Sequence, residues 1–423
     1  LQAPKWLHTI ADVDSAPSIS QLVALVDHPS HYDYTYLAAA LNRLAVLAEQ
    51  QQKQQQQQQH VGDLEQASNS QRQEQIRLTR AITVRLKQLQ ADATAAELSV
   101  VLTAATKLGV RDAKFYSGAT AAAVSAERLA AASGGYLADI MYAVAEYGSR
   151  SSGNGGGGGG SSRNHALGPD AFGKKQQQAV LRTCLTKMVQ LIQHQQQPGG
   201  AGFAAAAAAA AIAGTDGPSA LEPSNVIMAL WAASSAGIQA LQQRHLLTIF
   251  KYLNQPEVLR QLTANTTTTS SSKEGPLTEG VVLTCGTVIW AAAQLGFTGD
   301  LSLLKPYASA LLQAAESTPL ACTSTLTVVL SLASLMQQQQ QGPDAAADDV
   351  QYWQGCFLQC SQAVVASMQQ QQQQQGQQYA AAVASQLLWG YDVAGLDPPQ
   401  EQLHALMALT GDEVSHVMAG PWH

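Results

Sequence analysis

The stretch Cys285–Gly296, CGTVIWAAAQLG, decides the fold. Counting back from Gly296, the residues eleven, eight, seven, four and one before it are Cys285, Val288, Ile289, Ala292 and Leu295. That spacing lays them along one stripe of a helix. Ala291 is small enough to let a neighbouring helix approach, and Gly296 can take the left-handed conformation that closes a helix. The pattern recurs as ELSVVLTAATKLG (Glu97–Gly109), YLADIMYAVAEYG (Tyr136–Gly148), NVIMALWAASSAG (Asn225–Gly237), STLTVVLSLASLM (Ser324–Met336) and ASQLLWGYDVAG (Ala384–Gly395).

Seven residues before each end stands a large apolar side chain: Leu102, Met141, Leu230, Ile289, Val329, Leu388. Five before it the residue is small: Ala104, Ala143, Ala232, Ala291, Ser331, Gly390. Six before it come Thr103, Tyr142, Trp231, Trp290, Leu330 and Trp389, so three of the six tryptophans share one register. Core packing in the seam between successive helix pairs is the expected role of these rings, with base stacking as the alternative.

Gly109 and Gly148 are 39 residues apart, and Gly296 and Met336 are 40. Longer intervals enclose low-complexity tracts, among them Gly155–Gly160, Ala204–Ala211, Thr266–Thr269, Gln337–Gln341 and Gln369–Gln375, and a Gln-rich run, Gln50–Gln59, lies upstream. Such tracts offer too little varied apolar surface to offset their ordering entropy, so they are expected to be disordered, mobile surface loops.

A second helix is expected after each first one. One carries Leu181, Leu185, Met188 and Ile192 on a single face. Others run near Leu241–Leu253, Leu301–Ala315 and Val350–Met368, and Pro398-Pro399 fits the first turn of the last. The fold class is therefore all-α: an α-solenoid of helix-turn-helix repeats of about 38–40 residues. The sequence divides into N-terminal leader helices with a Gln-rich insertion, residues 1–93, and an array of about six repeats, residues 94–423.

The 423 residues are 46% hydrophobic but only 13% charged, and much of the apolar content is helix-favouring alanine. No apolar run is long enough for a membrane span, so no membrane partner is expected. The five cysteines are odd in number and scattered, which fits a reducing compartment rather than a disulfide scaffold. The chain starts at Leu1, which either a cleaved targeting sequence or a truncated sequence explains.

Charge is unevenly spread. Residues 72–187 hold 15 Lys and Arg against 8 Asp and Glu, whereas residues 306–423 hold nine acidic residues and no Lys or Arg. RNA, if bound, belongs to the N-terminal half, and the acidic C-terminal repeats are expected to meet other proteins. In the helix expected over Glu74–Gln90, Leu78, Ile82, Leu86 and Leu89 share one face. Arg72, Arg77, Arg80 and Lys87 share the other, with Arg85 near its edge. A basic face opposite a core face can grip phosphates, although a merely solvated face has the same pattern. Lys107, Arg111, Lys114, Lys174, Lys175, Arg182 and Lys187 extend the candidate nucleic-acid-binding set.

Trp-Ala followed by small and apolar residues and Leu-Gly, at this spacing and with Pro-Pro opening a second helix, resembles the octotricopeptide repeat. VIWAAAQLG (Val288–Gly296) and VIMALWAASSAG (Val226–Gly237) carry the likeness best. Ala16–Leu47 is similar to the leader of those proteins and of their FAST-kinase-like relatives. The resemblance implies a green-algal organellar RNA-binding protein that stabilises, processes or translates RNA, or forms a structural part of a mitochondrial ribosome. The fifth repeat departs from the pattern by lacking its Gly and Trp, and the first by lacking the aromatic.

No catalytic or metal-binding constellation emerges, and no cofactor is expected. GNGGGGGG formally matches a dinucleotide fingerprint at Gly153, Gly155 and Gly158 but follows no strand, and Gly173-Lys174 lacks the rest of a P-loop. His28 and His31 have no metal spacing, and Cys356 and Cys360, at i and i+4, read as core thiols. The favoured function is a non-catalytic, RNA-binding architectural component of an organellar ribonucleoprotein. The mitochondrial ribosome, with ribosomal RNA as partner, comes first. A trans-acting mitochondrial or plastid mRNA factor and a protein-only scaffold are the alternatives.

Overall fold

The computed structural model describes residues 9–26, 28–58, 65–152, 172–196, 221–238, 242–264, 277–317, 322–340, 347–375 and 377–410. Among them the chain is all-helical, without a strand. The helices gather into two compact units, Leu1–Ala236 and Gly237–His423. The Gly, Ala and Thr tracts, and with them GNGGGGGG, lie outside the described residues.

In the first unit the helices are α1 (Ile10–Asp14), α2 (Ile19–Leu25), α3 (Tyr34–Gln58), α4 (Glu65–Leu89), α5 (Ala95–Lys107), α6 (Ala113–Ala123), α7 (Ala126–Ala131), α8 (Gly134–Ser152), α9 (Lys174–Gln196) and α10 (Pro223–Ser235). Helices α3, α5, α8 and α10 pack side by side in one layer, and α4, α6 and α9 form a second layer behind them. The leader helices are thus the first pair of this stack. Thr35 Oγ1 on α3 donates to Glu97 Oε1 on α5 at 2.5 Å. Glu97 also closes a capping box with Thr94 at the start of α5. Around residue 93, Arg128 donates to the carbonyls of Ala93 (2.7 Å) and Ala91 (2.6 Å), stitching the α4–α5 turn to α7.

The second unit contains α11 (Gln243–Leu253), α12 (Pro256–Ala264), α13 (Leu277–Gln294), α14 (Lys305–Ser317), α15 (Cys322–Gln340), α16 (Ala347–Gln375), α17 (Gln377–Ala394) and α18 (Gln400–Thr410). Helices α13, α15 and α17 form one layer, and α14, α16 and α18 the other. Pro398 and Pro399 lie just before α18 rather than in its first turn, and the Pro399 carbonyl accepts from Leu403 N at 2.9 Å.

The repeat register holds in the packing. Leu102, Met141, Leu230, Ile289 and Val329 are fully buried, and the small residues five before each end are buried as well. On α17 the core position falls to Leu387, leaving Leu388 half-buried. A Cβ on Gly390 would lie 3.2 Å from Leu330 Cδ2, so the small residue does admit the neighbouring helix. The tryptophan register, however, is not core. Trp231 and Trp290 are half-buried, and Trp389 is 47% exposed. The Trp231 ring lies 5.5 Å from that of Tyr142 on α8, and α17, which carries Trp389, is the last first-layer helix described. Among the described residues the buried tryptophan is instead Trp353 of α16.

Four of the five expected glycine ends, Gly109, Gly237, Gly296 and Gly395, have φ of 70°, 58°, 65° and 66°. At Gly109, Gly296 and Gly395 the next residue's N–H reaches back to Ala105, Ala292 and Tyr391 at 2.9, 2.9 and 3.0 Å, the Schellman closure. Gly148 and Met336 are not ends. Helix α8 continues to Ser152 and α15 to Gln340. A Cβ at Gly148 would fall 2.6 Å from Gln177 Oε1 on α9, so that side chain would have to shift.

The Gln tracts are not loops where they are described. They lengthen α3, α15 and α16, because Gln is a fair helix former and an existing helix removes the nucleation cost. The lengthened α15 has a use. Gln338 Nε2 approaches the carbonyl of Ala293 at 3.5 Å and Gln340 Nε2 that of Ala394 at 3.3 Å, supplying donors to the last turns of α13 and α17.

Two glycines should respond oppositely to alanine. At Gly296 nothing obstructs a Cβ but φ is positive, so Gly296→Ala should lower stability by about 1 kcal/mol. Gly355, inside α16 with open space around it, should gain by about 1 kcal/mol in Gly355→Ala. Urea unfolding of both variants measures the pair.

Candidate nucleic-acid interface

Helix α4 begins earlier than expected, at Glu65, and presents its faces as the spacing requires. Leu78, Ile82 and Leu86 are buried, Leu89 is half-buried, and Arg72, Arg77 and Arg80 are exposed. Ile76 and Val84, 54% and 53% exposed, interrupt the basic face with apolar surface. Arg85 is half-buried and donates to Gln88 Oε1 at 3.0 Å.

Two of the candidate cations are engaged in ion pairs. Lys87 Nζ lies 3.5 Å from Asp112 Oδ2, the carboxylate that caps α6 by accepting from Lys114 N and Phe115 N. Lys107 Nζ lies 3.7 Å from Glu49 Oε2. Both pairs are half-exposed and add little stability. Arg111, Lys114, Lys174, Lys175 and Arg182 are exposed on α6, α9 and the turn before α6, and Lys187 is half-buried on α9. The candidates therefore sit mostly on the second layer.

A cleft of about 610 Å³ opens between α3, α4, α5 and α8, and Arg182 and Lys187 stay apart from it. It brings together Arg72 and Lys107 of the expected set and adds Arg150, Glu49 and Tyr142. Arg150 donates through Nε to Glu146 Oε2 at 3.1 Å and through Nη1 to the Thr106 carbonyl at 2.7 Å, in the last turn of α5. It reaches that carbonyl because α8 runs past Gly148. A glycine taken as a helix end hides this arginine from sequence reasoning. The Tyr142 ring lies 5.5 Å from that of Trp231 on α10.

The electrostatics around the cleft are those of a cationic rim with carboxylates interleaved. Hydrogen bonding from Lys53 holds Glu49 below its ordinary value, with Lys107 assisting. Burial pushes the Tyr142 hydroxyl up, Glu146 adding to the shift and Arg150 opposing it. Burial likewise raises Asp139, one turn before Tyr142 on α8, to about 6 despite the pull of Lys107. Among the described residues no three His, Cys, Asp or Glu side chains gather as metal ligands, and no helix is long and apolar enough to cross a membrane. Cys356 and Cys360 are buried, and burial pushes the Cys360 thiol up to about 12.

No protein-family model and no curated protein matches the chain.

Asp139 provides a test of this environment. Its folded value lies above the ordinary carboxylate value of about 4, so the fold prefers the neutral form. Its contribution to stability is complete below about pH 4 and is lost as pH rises through about 6. Thermal unfolding across that window should show a falling component in the parent chain that Asp139→Asn removes.

Proposed function

We propose that this chain is a non-catalytic helical-repeat protein that holds RNA with its first unit, as an architectural component of an organellar ribonucleoprotein. The observation that carries the proposal is the gathering of Arg72, Lys107 and Arg150 around one polar cleft. Arg77, Arg80, Lys174 and Lys175 add exposed cations on the second layer of the same unit. Phosphate is the ligand such surfaces suit, since guanidinium and ammonium groups on separate rigid helices neutralise charge spaced along a backbone. Residues 306–423, with nine carboxylates and no Lys or Arg, suit protein contacts instead.

The shared register of the first-layer helices supports an α-solenoid, a form that offers long surfaces to extended partners. The likeness to octotricopeptide repeats supports an organellar setting, the mitochondrial matrix before the plastid stroma, and ribosomal RNA as the partner. Modest local positive charge suits one contact among many in an assembly better than solitary high-affinity recognition of a transcript.

The full chain should bind ribosomal RNA fragments with an affinity that falls steeply with salt. Neutralising Arg77, Arg80, Lys174 and Lys175 to Gln should reduce the slope of log K against log salt by roughly 0.7 for each phosphate that is no longer neutralised. Filter binding over a salt series reads this directly. An affinity that is absent, or indifferent to salt, overturns RNA binding; migration of the native protein away from ribosomal fractions on a gradient overturns the ribosomal assignment.

A further inference from the structure

Arg150 joins the cationic cleft to a second, smaller cavity. This one, about 210 Å³, lies between α5, α6 and α8 and is lined by Thr106, Val110, Arg111, Tyr116, Tyr147 and Arg150. Its character is different. Tyr116 is fully buried, and its hydroxyl is bonded to Thr106 Oγ1 at 2.9 Å, so it forms a fixed aromatic wall. The Tyr147 ring, half-buried, lies 4.4 Å from the Tyr116 ring and 5.4 Å from that of Phe172. An aromatic cavity therefore adjoins a cleft carrying Arg72 and Lys107, with one guanidinium lining both.

The donors on the cleft side have capacity to spare. Arg150 commits Nε and Nη1 to Glu146 and Thr106, and a guanidinium has five N–H donors. Lys107 pairs loosely with Glu49 at 3.7 Å, both side chains half-exposed, a contact that a more concentrated anion can displace. Arg72 is exposed and lines the same cleft. On the other side, the smaller cavity is the size for one flat heterocycle, and Arg111 is exposed at its wall.

We propose that the two cavities form one bipartite site for a nucleoside phosphate. The base lies against Tyr147 in the aromatic cavity, and the phosphate lies in the cleft between Arg150 and Lys107, with Arg72 within the same cleft. Stacking on a tyrosine face tolerates any base, while the paired cations require the phosphate. A free nucleotide and one nucleotide of an unpaired RNA strand present the same chemistry. A duplex does not, because its bases remain stacked on one another. The site lies where the leader helices meet the first two repeats, and it rests on the same cleft cations as the RNA reading, whereas Arg77, Arg80, Lys174 and Lys175 lie outside it.

Calorimetric titration of the full chain distinguishes the sources. The probes are AMP, adenosine, inorganic phosphate, a short single-stranded oligoadenylate and an RNA duplex of equal length. AMP or the oligoadenylate should bind, with adenosine, phosphate and duplex each at least roughly ten-fold weaker. Tyr147→Ala and Lys107→Gln should each weaken that binding roughly ten-fold, and Lys251→Gln, on α11 of the other unit, should not. Arg150→Gln also removes a bond to α5, so Lys107→Gln and Arg72→Gln carry the test if it unfolds. Binding by AMP alone assigns a free nucleotide, and binding by the oligoadenylate alone assigns an RNA strand. Absence of both, equal binding of duplex, or affinity unchanged in Tyr147→Ala and Lys107→Gln overturns the site. RNA affinity that survives such a result leaves the wider RNA reading standing, and AMP binding without RNA affinity removes that reading alone.

Discussion

The last turn of every helix leaves carbonyl oxygens that no following turn can bond, and the layered units depend on how those oxygens are satisfied. Where Gly109, Gly296 or Gly395 follows the helix, the left-handed glycine turns the chain back, and its own N–H and that of the next residue supply the donors. Where that device is missing, the helix overruns. The extra turn of α8 carries Arg150 to the end of α5, and the extra turn of α15 carries Gln338 and Gln340 to the ends of α13 and α17. A helix without its own glycine stop thus becomes the donor for its neighbours. The two solutions alternate within one packing scheme, which is why the register of buried residues survives the loss of a Gly.

This constraint also builds the candidate site. Had α8 ended at Gly148, Arg150 would not stand between the cationic cleft and the aromatic cavity, and Lys107 and Arg72 would face a cleft without a central donor. A bond made for structure, guanidinium to helix-end carbonyl, fixes the position of a group whose remaining N–H donors are open to a ligand. Low-complexity sequence takes part as well. Gln51 on the lengthened α3 donates to Gln71 of α4 at 3.2 Å, and Gln51, Gln52 and Gln55 line the cleft.

Much of the fold was legible residue by residue. Leu102, Met141, Leu230, Ile289 and Val329 are core because helical period alone puts them on the stripe that meets two neighbours. Positive φ at four glycines was equally legible, since few other residues reach that conformation without strain. The composition of the Gln tracts misled, because entropy arguments made for free segments do not hold for residues added to a nucleated helix. The tryptophan register misled too. Being one residue from the core stripe does not say whether a neighbour covers a side chain, and Trp389 lacks that cover. Of the candidate site, Arg72 and Lys107 were legible as basic residues, but nothing local distinguished them from Arg182 or Lys187.

By itself the sequence determined the apolar stripe of each repeat helix, and that cations concentrate between residues 72 and 187 while none follows Lys305. These follow from backbone preference and side-chain chemistry, which act over a turn or two of chain. The tertiary structure alone decided that Gly148 lies within a helix and that Arg150, Lys107, Arg72 and Tyr142 share one cleft. It also decided that Tyr142, Trp231 and Trp290 are only half-buried and that Trp389 is exposed. The reason is that each of these depends on where a neighbouring helix, distant in sequence, places its carbonyls and its small residues.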